Sequence, residues 1–182
     1  MLQRYKIIVL FLLILNNISC HENTKTPNMR SEKKLKIGDQ APQFTLPDQN
    51  GKMVDLNSFI GKTKLVVYFY PKDESFGCTK EACSFRDSYE DFKEASAEVI
   101  GISSDDEASH RGFAANHKLP FILLSDRDKK VAGLYGVGKT LGILPGRVTF
   151  VIDKQGIIRG IYSSQINFQK HVQEALEVLR RI

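Results

Sequence analysis

The chain has 182 residues, of which 42% are hydrophobic and 26% are charged, a composition typical of a soluble globular protein with a substantial core. The formal net charge is +5, but the basic residues are scattered and no basic stretch is interleaved with aromatic residues, so nucleic-acid binding is not expected. Three cysteines are too few for a disulfide scaffold, and Cys78 and Cys83 lie close together, which indicates reactivity.

The N-terminal segment differs from the rest of the chain. Arg4 and Lys6 precede an unbroken apolar run over residues 7–15, which is too short to span a bilayer but fits the hydrophobic part of a secretory signal. A small residue directly before Cys20 resembles a bacterial lipoprotein signal, in which this cysteine is lipidated. We therefore expect a signal segment over residues 1–20 and export to a bacterial cell envelope, as a lipoprotein facing the periplasm that touches the membrane only through its anchor.

Two alternatives remain open for this segment. The first is an ordinary signal peptide that is cleaved nearby, with Cys20 lost or left as a free thiol. The second is an uncleaved signal anchor. The match to a lipoprotein signal has one departure, because Asn17 stands where such signals usually carry Leu.

The next segment, residues 21–34, is polar without an apolar period and is predicted to be a flexible tether. No internal repeat or further linker follows, so a single domain is predicted over residues 35–182. Its first element is a short hairpin, because apolar residues flank a cluster of turn residues at 48–51. Residues 65–70 are a compact, apolar and β-rich run, which is typical of a strand buried on both faces.

From Thr79 onward the apolar period changes, and Ala82, Phe85, Tyr89 and Phe92 recur at helical spacing. Further strands are predicted over residues 98–102, 121–124, 148–152 and 157–161, and further helices over residues 107–118, 129–135 and 168–180. Strands that alternate with helices predict a layered α/β sandwich with a mixed central sheet, part of it parallel, and flanking helices.

Cys78 lies between the predicted buried strand and the helix that follows it. Ligands of an open α/β sheet bind beyond the carboxyl ends of the strands, and the first turn of a helix presents unpaired N–H groups that stabilise an anion. Helix N-termini and neighbouring arginines lower the pKa of cysteine thiols from about 8.5 to about 3.5–7.5. Pro71 stiffens the loop before the helix, Gly77 allows a small substrate to approach the backbone, and Ser75 offers a hydroxyl.

The residues around the cysteines and histidines indicate whether these side chains have a core, metal-binding or surface role. Cys78 follows a polar loop, which argues against a small buried hydrophobe, whereas Cys83 lies inside the predicted helix beside Ala82, where a core role fits its position. A zinc site needs about four sulfur or nitrogen ligands, and no paired metal spacing occurs, so no metal is expected. His110 and His117 are seven positions apart on one predicted helix, a spacing that a solvated face explains.

The stretch around Cys78 resembles the peroxiredoxins, and within them the bacterioferritin comigratory protein or peroxiredoxin Q group. The motifs that carry the resemblance occur in order over residues 38–46, 67–73, 77–87, 99–103 and 144–150. The resemblance implies a thioredoxin-like fold and a thiol peroxidase with an antioxidant role in cell redox homeostasis. Such an enzyme uses neither haem nor metal, so no cofactor is expected.

The resemblance also implies a role for each matching residue. Cys78 is the peroxidatic cysteine, Arg147 is the guanidinium beside it, and Cys83 is the resolving cysteine of the helix-internal kind. Ser75 stands where the family usually has Thr and keeps the hydroxyl, and Pro71 is the loop proline. The family further implies a hydroperoxide substrate and recycling by a thioredoxin-like dithiol, as in an atypical 2-Cys peroxiredoxin.

The expected reaction starts with attack of the Cys78 sulfur on a peroxide O–O bond, which gives a sulfenic acid. Five residues of ideal helix separate the Cα atoms of Cys78 and Cys83 by about 8.6 Å. This exceeds the roughly 7 Å limit for a disulfide, so the first helical turns must unwind on each cycle. Helix-internal resolution needs no second subunit, and we expect a monomer. Phe76 replaces the usual Pro beside Gly77, which leaves the preferred peroxide open.

Two other functions fit parts of the sequence. A thiol–disulfide oxidoreductase on the same fold usually carries Cys-x-x-Cys, which this sequence lacks. A non-catalytic anchored binding module would use Cys78 and Cys83 as a static clip. The polar surroundings of Cys78 and its association with an arginine argue against that interpretation. Measuring whether Cys78 reacts with peroxide distinguishes the three functions.

Overall fold

The computed structural model describes residues 34–140 and 144–182. Its strands, in chain order, are β1 (Thr45–Pro47), β2 (Met53–Asp55), β3 (Lys64–Phe69), β4 (Ala97–Ser103), β5 (Ile122–Ser125), β6 (Lys139–Thr140), β7 (Leu144–Pro145), β8 (Val148–Ile152) and β9 (Ile158–Ser163). The helices are α1 (Phe76–Asp87), α2 (Tyr89–Glu94), α3 (Glu107–His117), α4 (Lys130–Leu134) and α5 (Phe168–Leu179), with a 3₁₀ turn at Leu56–Ser58.

Five strands form the central sheet in the order β5–β4–β3–β8–β9. Strands β3, β4 and β5 run parallel, whereas β8 is antiparallel to β3 and β9 is antiparallel to β8. The predicted α/β sandwich with a mixed, partly parallel sheet is therefore confirmed. The register places Phe69, the last residue of β3, opposite Val148, the first residue of β8.

Alternate side chains of β3 enter two separate hydrophobic layers, as the continuous apolar run predicts. Tyr68 belongs to the layer beneath α1 and α5, together with Phe85 and Val172. Phe69 belongs to the layer on the other face of the sheet, which Tyr135 and the β1–β2 hairpin help to cover. All five side chains are at most 5% exposed, so the central strand is buried on both faces.

The predicted hairpin is confirmed, with β1 and β2 paired antiparallel and Leu46 opposite Val54. Helix α1 differs from the prediction because it begins at Phe76, one turn before Thr79. Ser75 has extended backbone angles (φ −75°, ψ 145°) and its carbonyl accepts a hydrogen bond from the N–H of Thr79 at 2.8 Å. Cys78 consequently lies inside the first helical turn and not ahead of it.

The segment before β8 contains a small antiparallel pair, β6 and β7, that the sequence did not predict. Within the part of the chain that the structure describes, no helix has the length and apolar character needed to cross a membrane. The predicted signal segment over residues 1–20 and the tether over 21–34 lie outside the described residues, save for Lys34. The domain boundary at residue 35 therefore stays a prediction.

Candidate active site

Cys78 is the third residue of α1, which starts beyond the carboxyl end of β3. Its side chain is only 1% exposed, and it packs into the hydrophobic layer beneath α1. The unpaired N–H groups of the first helical turn lie around it, and their partial positive charge favours an anion at this point. Cys78 thus combines burial with an environment that stabilises a thiolate.

Arg147 lies beside Cys78 because of the strand order. It directly precedes β8, whose first residue pairs with the last residue of β3, so Arg147 emerges at the same edge of the sheet as α1. Its Nη2 donates a hydrogen bond to the Cys78 Sγ at 3.2 Å, and the side chain is 4% exposed. A buried guanidinium at this distance stabilises a sulfur anion strongly, since little water screens the two charges.

Glu81, one turn after Cys78 on α1, is buried against the same guanidinium. Its Oε2 accepts a hydrogen bond from Arg147 Nη1, and the side chain is 0% exposed. Burial raises the pKa of Glu81 to about 8, although the attraction of Arg147 acts in the opposite direction. Burial also disfavours the Arg147 cation, but Glu81 and Cys78 outweigh it and raise the pKa of Arg147 above its usual value.

Glu81 was not predicted as a site residue, although its spacing carried a signal. It follows Cys78 by three positions and precedes Phe85 by four, so all three side chains share the buried face of α1. A carboxylate on that face needs a cationic partner, because an unpaired buried charge is very costly. The partner, Arg147, is 66 positions away in the chain and could not be assigned from this spacing alone.

His171 on α5 lies next to Glu81. Like Glu81, it was not predicted as a site residue. Its Nδ1 lies 3.4 Å from Glu81 Oε1 and 2.7 Å from Thr149 Oγ1, and its Nε2 lies 3.0 Å from the carbonyl oxygen of Ser164. His171 is 0% exposed. Burial lowers the pKa of His171 to about 4, so the ring is neutral at physiological pH.

The loop between β3 and α1 is held by a buried network around Asp73. One carboxylate oxygen accepts a hydrogen bond from the Tyr70 hydroxyl at 2.7 Å. The other accepts from the Ser109 hydroxyl at 2.7 Å and contacts His110 Nδ1 at 2.8 Å. Burial opposes ionisation of Asp73, but these bonds outweigh it and lower its pKa. The network ties the active-site loop to α3.

The expectation that His110 and His117 share a solvated face is wrong for His110, which is 0% exposed. It lies at the buried edge of α3, where Asp73 and a backbone carbonyl of β5 satisfy both ring nitrogens. His117 is partly exposed and contacts the Glu74 carboxylate at 2.8 Å. This hydrogen bond lowers the pKa of Glu74, with a smaller contribution from Asn116.

Glu74 has a left-handed backbone conformation, with φ of 55°. Such a conformation is unfavourable for a residue with a side chain and persists only where the surroundings impose it. Here both carboxylate oxygens are bonded, one to Asn116 and the other to His117, across from the loop on α3. The loop that leads to Cys78 is therefore anchored at two successive residues, Asp73 and Glu74.

Ser75 and Pro71 lie in the same loop and support Cys78 from beside it. Ser75 is the N-cap residue of α1, and its hydroxyl donates to the carbonyl oxygen of Lys72 at 3.0 Å. Pro71 is partly buried and lines an apolar cavity together with Ile102. The structure thus brings Cys78 and Arg147 into direct contact and places Ser75 and Pro71 in the adjoining loop.

Cys83 lies in the same helix as Cys78 but faces a different direction. It is partly exposed and lines a surface groove between α1 and α5, together with Phe168 and Gln173. Both Cys78 and Cys83 are free thiols, and α1 is continuous across them. The structure therefore places the two cysteines on one helix without joining them.

Two phenylalanines lie near the start of α1. Phe76 is 75% exposed at the start of α1, with the Lys80 ammonium 4.3 Å from the centre of its ring. Phe168, the first residue of α5, lies with its ring 5.0 Å from the Arg147 guanidinium carbon and packs against Gly77. The Phe168 ring therefore makes the Arg147 side of the site apolar. Across residues 34–140 and 144–182, no cluster of three His, Cys, Asp or Glu side chains is arranged to hold a metal ion.

The family model described as the AhpC/TSA family matches residues 37–161, which is most of the domain. The chain belongs to the AhpC/TSA family of peroxiredoxins. It is 54% identical over 150 residues to the chloroplastic peroxiredoxin Q of Oryza sativa subsp. japonica, covering 82% of this chain and 69% of that protein. It is 55% identical over 148 residues to peroxiredoxin Q of Arabidopsis thaliana, covering 81% and 68%.

Solved structures agree with this assignment. Peroxidoxin BcpB from Mycobacterium tuberculosis superposes with a TM-score of 0.75 and 38% identity, covering 81% of this peroxiredoxin and 98% of that chain. Peroxiredoxin Q from Xanthomonas campestris gives a TM-score of 0.71 and 28% identity, covering 76% and 90%. The predicted thioredoxin-like fold and membership of the peroxiredoxin Q group are confirmed, and with them the activity of a thiol peroxidase.

The expected location in a bacterial cell envelope is wrong. The plant relatives of this peroxiredoxin are chloroplast proteins, and this finding overturns the expectation of a membrane-anchored lipoprotein facing the periplasm. Positively charged residues followed by a short apolar run indicate a targeting segment, but they do not by themselves identify the compartment. Cys20, the predicted lipidation site, lies outside the described residues.

Proposed function

We propose that this peroxiredoxin reduces hydrogen peroxide and organic hydroperoxides through Cys78, which Cys83 then resolves within the same chain. The observation that carries the proposal is the 3.2 Å contact between Arg147 Nη2 and Cys78 Sγ at the first turn of α1. A guanidinium and helix N–H groups around one buried sulfur favour a thiolate, and the thiolate is the nucleophilic form of cysteine.

In the first step, the Cys78 thiolate attacks one oxygen of the peroxide. The O–O bond breaks, and the second oxygen leaves as hydroxide or alkoxide and takes up a proton. Sulfur gives two electrons to the peroxide and becomes a sulfenic acid. Arg147 opposes the negative charge as it moves from sulfur to oxygen, which is the kind of stabilisation that lowers a barrier most.

Ser75 and Pro71 have proposed roles in holding the peroxide. The Ser75 hydroxyl gives its hydrogen to the carbonyl of Lys72, so its oxygen is left to accept a hydrogen bond from the peroxide O–H. Pro71 follows β3 closely and restricts the backbone at the start of the loop. The Phe168 ring supplies an apolar wall beside Arg147, which favours hydroperoxides with an organic group.

In the second step, the Cys83 sulfur attacks the Cys78 sulfenic acid, water leaves, and a disulfide forms. Both residues lie on a continuous helix, at a Cα separation of about 8.6 Å for ideal geometry. Disulfides need Cα atoms within roughly 7 Å, so α1 has to unwind locally before the bond forms. A thioredoxin-like dithiol then reduces the disulfide by thiol exchange. One chain supplies both cysteines, and we propose that the monomer is active.

The test is peptide-resolved mass spectrometry of the reduced protein after one equivalent of peroxide, with a dimedone trap for sulfenic acid. The expected result is a Cys78–Cys83 disulfide in the wild type and trapped sulfenic acid at Cys78 in Cys83→Ser. Cys78→Ser is the matched control and should leave the peroxide unreacted. Oxidation of Cys78 no faster than that of a free thiol would contradict the proposal.

Turnover tests the recycling step separately. We expect peroxide-dependent consumption of NADPH when thioredoxin and its reductase are added to the wild type, and none with Cys83→Ser. Turnover that is unchanged in Cys83→Ser would mean that the external dithiol reduces the sulfenic acid directly, which contradicts resolution by Cys83.

A further inference from the structure

A groove on the surface between α1 and α5 leads to Cys83. Lys80 lines it from α1, and Ile166 lines it from the loop before α5. Ile166 and Phe76 are 78% and 75% exposed, more than any other large hydrophobic side chain that the structure describes. The Lys80 ammonium lies 4.3 Å from the centre of the Phe76 ring, so both apolar side chains border the same short stretch of α1. Single exposed apolar residues are common, but two beside a reactive thiol indicate a surface that another protein covers.

Access distinguishes the two sulfurs of the proposed Cys78–Cys83 disulfide. Cys78 is buried beneath α1 beside Arg147, whereas Cys83 is partly exposed in the groove. In thiol–disulfide exchange, the rate depends on which sulfur an attacking thiolate can reach. An external thiolate reaches Cys83 from solvent along the groove, whereas the hydrophobic layer beneath α1 closes off Cys78.

The identity of the leaving sulfur also favours attack at Cys83. Exchange is faster when the sulfur that leaves is the better stabilised thiolate. A thiolate released from Cys78 returns to the buried guanidinium of Arg147 and to the N–H groups of the first turn of α1. Arg86, three positions after Cys83, is a partly exposed cation that is also engaged with Asp87, so it stabilises a thiolate of Cys83 less.

The α5 side of the groove does not depend on the helix that unwinds. The backbone N–H groups of Ile166 and Asn167 donate to the Ser164 hydroxyl at 3.4 and 3.1 Å. The carbonyl oxygen of Ser164 lies 3.0 Å from Nε2 of His171, whose buried ring belongs to α5. These contacts fix Ile166 relative to α5, so its apolar side chain stays in place while α1 opens.

The charges of the groove indicate the chemistry of a partner that fits it. Its lining contains two lysines, Lys80 and Lys170, and one acid, Asp87, which is paired with Arg86. Lys170 lies 3.8 Å from Glu174, an exposed contact that holds little of its charge. The groove therefore presents positive charge around an apolar side chain, and a complementary partner presents carboxylates around an apolar surface.

We propose that the groove between α1 and α5 is the docking surface of the external reductant, a dithiol protein whose cysteines lie in an apolar surface bordered by carboxylates. A thiolate of this protein attacks the Cys83 sulfur, the Cys78–Cys83 bond breaks, and Cys78 leaves as a thiolate. The second thiolate of the reductant then attacks its own partner sulfur in the mixed disulfide, and Cys83 leaves and takes up a proton. The peroxiredoxin gains two electrons, and the reductant loses two and becomes a disulfide. This inference rests on the proposed function, in which Cys83 resolves Cys78.

The first experiment identifies the sulfur that the reductant attacks. The wild type is oxidised to the Cys78–Cys83 disulfide and mixed with a thioredoxin whose second active-site cysteine is replaced by Ser, so that the mixed disulfide persists. Trypsin cleaves after Lys80 and Arg86, which places the two cysteines on separate peptides. We expect thioredoxin on the Cys83 peptide and Cys78 free for iodoacetamide. A mixed disulfide on Cys78, or none at all, overturns the inference.

Ile166→Ser tests the docking surface itself. The KM for thioredoxin should rise by about tenfold, the affinity that one aliphatic side chain contributes when an interface buries it. Turnover with dithiothreitol, a dithiol too small to need the groove, should be unchanged. Because Ile166 is exposed, the substitution removes no core contact. Met53→Ser is the matched control, since Met53 is exposed on β2 and does not line the groove, and it should leave the KM for thioredoxin unchanged.

The outcomes separate the docking surface from the reaction. An unchanged KM in Ile166→Ser overturns the inference. An equal loss of turnover with dithiothreitol also overturns it, since that would be damage to the active site. If the wild type forms no Cys78–Cys83 disulfide with peroxide, the proposed function itself is overturned, whereas normal disulfide formation with an unchanged KM in Ile166→Ser overturns the docking surface alone.

Discussion

His110 Nδ1 lies 2.8 Å from Asp73 Oδ2, while His110 Nε2 lies 3.1 Å from the carbonyl oxygen of Leu124. These two contacts hold both nitrogens of the buried ring, one against the Asp73 carboxylate and the other against the backbone of β5. The result is a buried histidine–carboxylate contact that joins the loop before Cys78 to α3 and β5. The position of α1, and so of Cys78, depends on this pair.

Replacing His110 with Ala should destabilise the protein by about 2–3 kcal/mol, because the buried Asp73 carboxylate and the Leu124 carbonyl would each lose a hydrogen-bond partner. His117→Ala is the matched control on the same helix. It removes a partly exposed contact to Glu74 and should cost no more than about 1 kcal/mol. Urea unfolding of both variants measures the difference. Equal effects would mean that the Asp73–His110 pair adds no more than a surface contact.

The sequence was sufficient for the elements around Cys78 but not for the groups that support it. The buried strand, the polar loop and the helix could be predicted because each depends on neighbours within about one helical turn or strand. Burial of His110 could not, because its polar partner lies 37 positions earlier in the chain. The start of α1 was placed one turn late, since apolar periodicity begins only at Ala82, whereas the extended Ser75 determines where the helix begins.

Arg147→Lys tests whether the two separate nitrogen donors of the guanidinium, and not only its charge, are needed for fast oxidation of Cys78. Arginine reaches Cys78 with one nitrogen and Glu81 with another, whereas a lysine ammonium is a single point of charge. Loss of one well-placed donor at a reacting centre slows catalysis by about 100-fold to 1,000-fold, and we expect a reduction of that order in the rate of Cys78 oxidation. Stopped-flow mixing with hydrogen peroxide measures it.

Arg159→Lys is the control for the preceding substitution. Arg159 lies in β9 and pairs with Asp153, and its side chain is 43% exposed, so the same exchange should leave the oxidation rate of Cys78 within about twofold of wild type. A similar rate loss in both variants would contradict a specific role for Arg147.

Gly77→Ala tests the packing of Phe168 against the start of α1. A Cβ at Gly77 would lie 2.7 Å from Phe168 Cζ and 3.3 Å from Arg147 Nη2, so the ring and the guanidinium would have to shift. We expect destabilisation by about 1 kcal/mol, at the low end for overpacking because the ring can turn away, and slower oxidation of Cys78.

Gly112→Ala is the matched helix substitution. Outside its own turn of α3, no described atom lies within 4 Å of a Cβ at Gly112, so this change should stabilise the protein by about 0.4–1 kcal/mol and leave peroxide reduction intact. Thermal unfolding distinguishes the two variants, because the Tm should fall in Gly77→Ala and rise in Gly112→Ala. A stabilising Gly77→Ala would contradict the packing described for Phe168.

Hydrogen exchange tests the unwinding of α1. Amides of Phe76–Asp87 should lose protection when the Cys78–Cys83 disulfide forms, while those of Phe168–Leu179 keep most of theirs. Cys83→Ser oxidised to the sulfenic acid is the control and should retain protection in α1. Full protection of α1 in the disulfide form would contradict the helix geometry from which unwinding is inferred.

The dependence of stability on pH should reveal Glu81. Folding raises its pKa from the ordinary 4.5 to about 8, so the folded protein binds the extra proton, and this stabilisation is lost as pH rises towards 8. Folding lowers the pKa of His171 from 6.5 to about 4, so its contribution is lost as pH falls from 6.5 towards 4 and is constant above 6.5.

Between pH 6.5 and 8 only Glu81 of this pair changes its contribution, and the free energy of unfolding should fall by up to about 2 kcal/mol more in wild type than in Glu81→Gln. Urea unfolding of both proteins across this range gives the slope of the free energy of unfolding against pH for each. The difference between the two slopes removes the contribution of the titratable groups that both proteins share. Parallel pH profiles would mean that Glu81 is already ionised at pH 6.5, with the Arg147 charge divided between its carboxylate and Cys78.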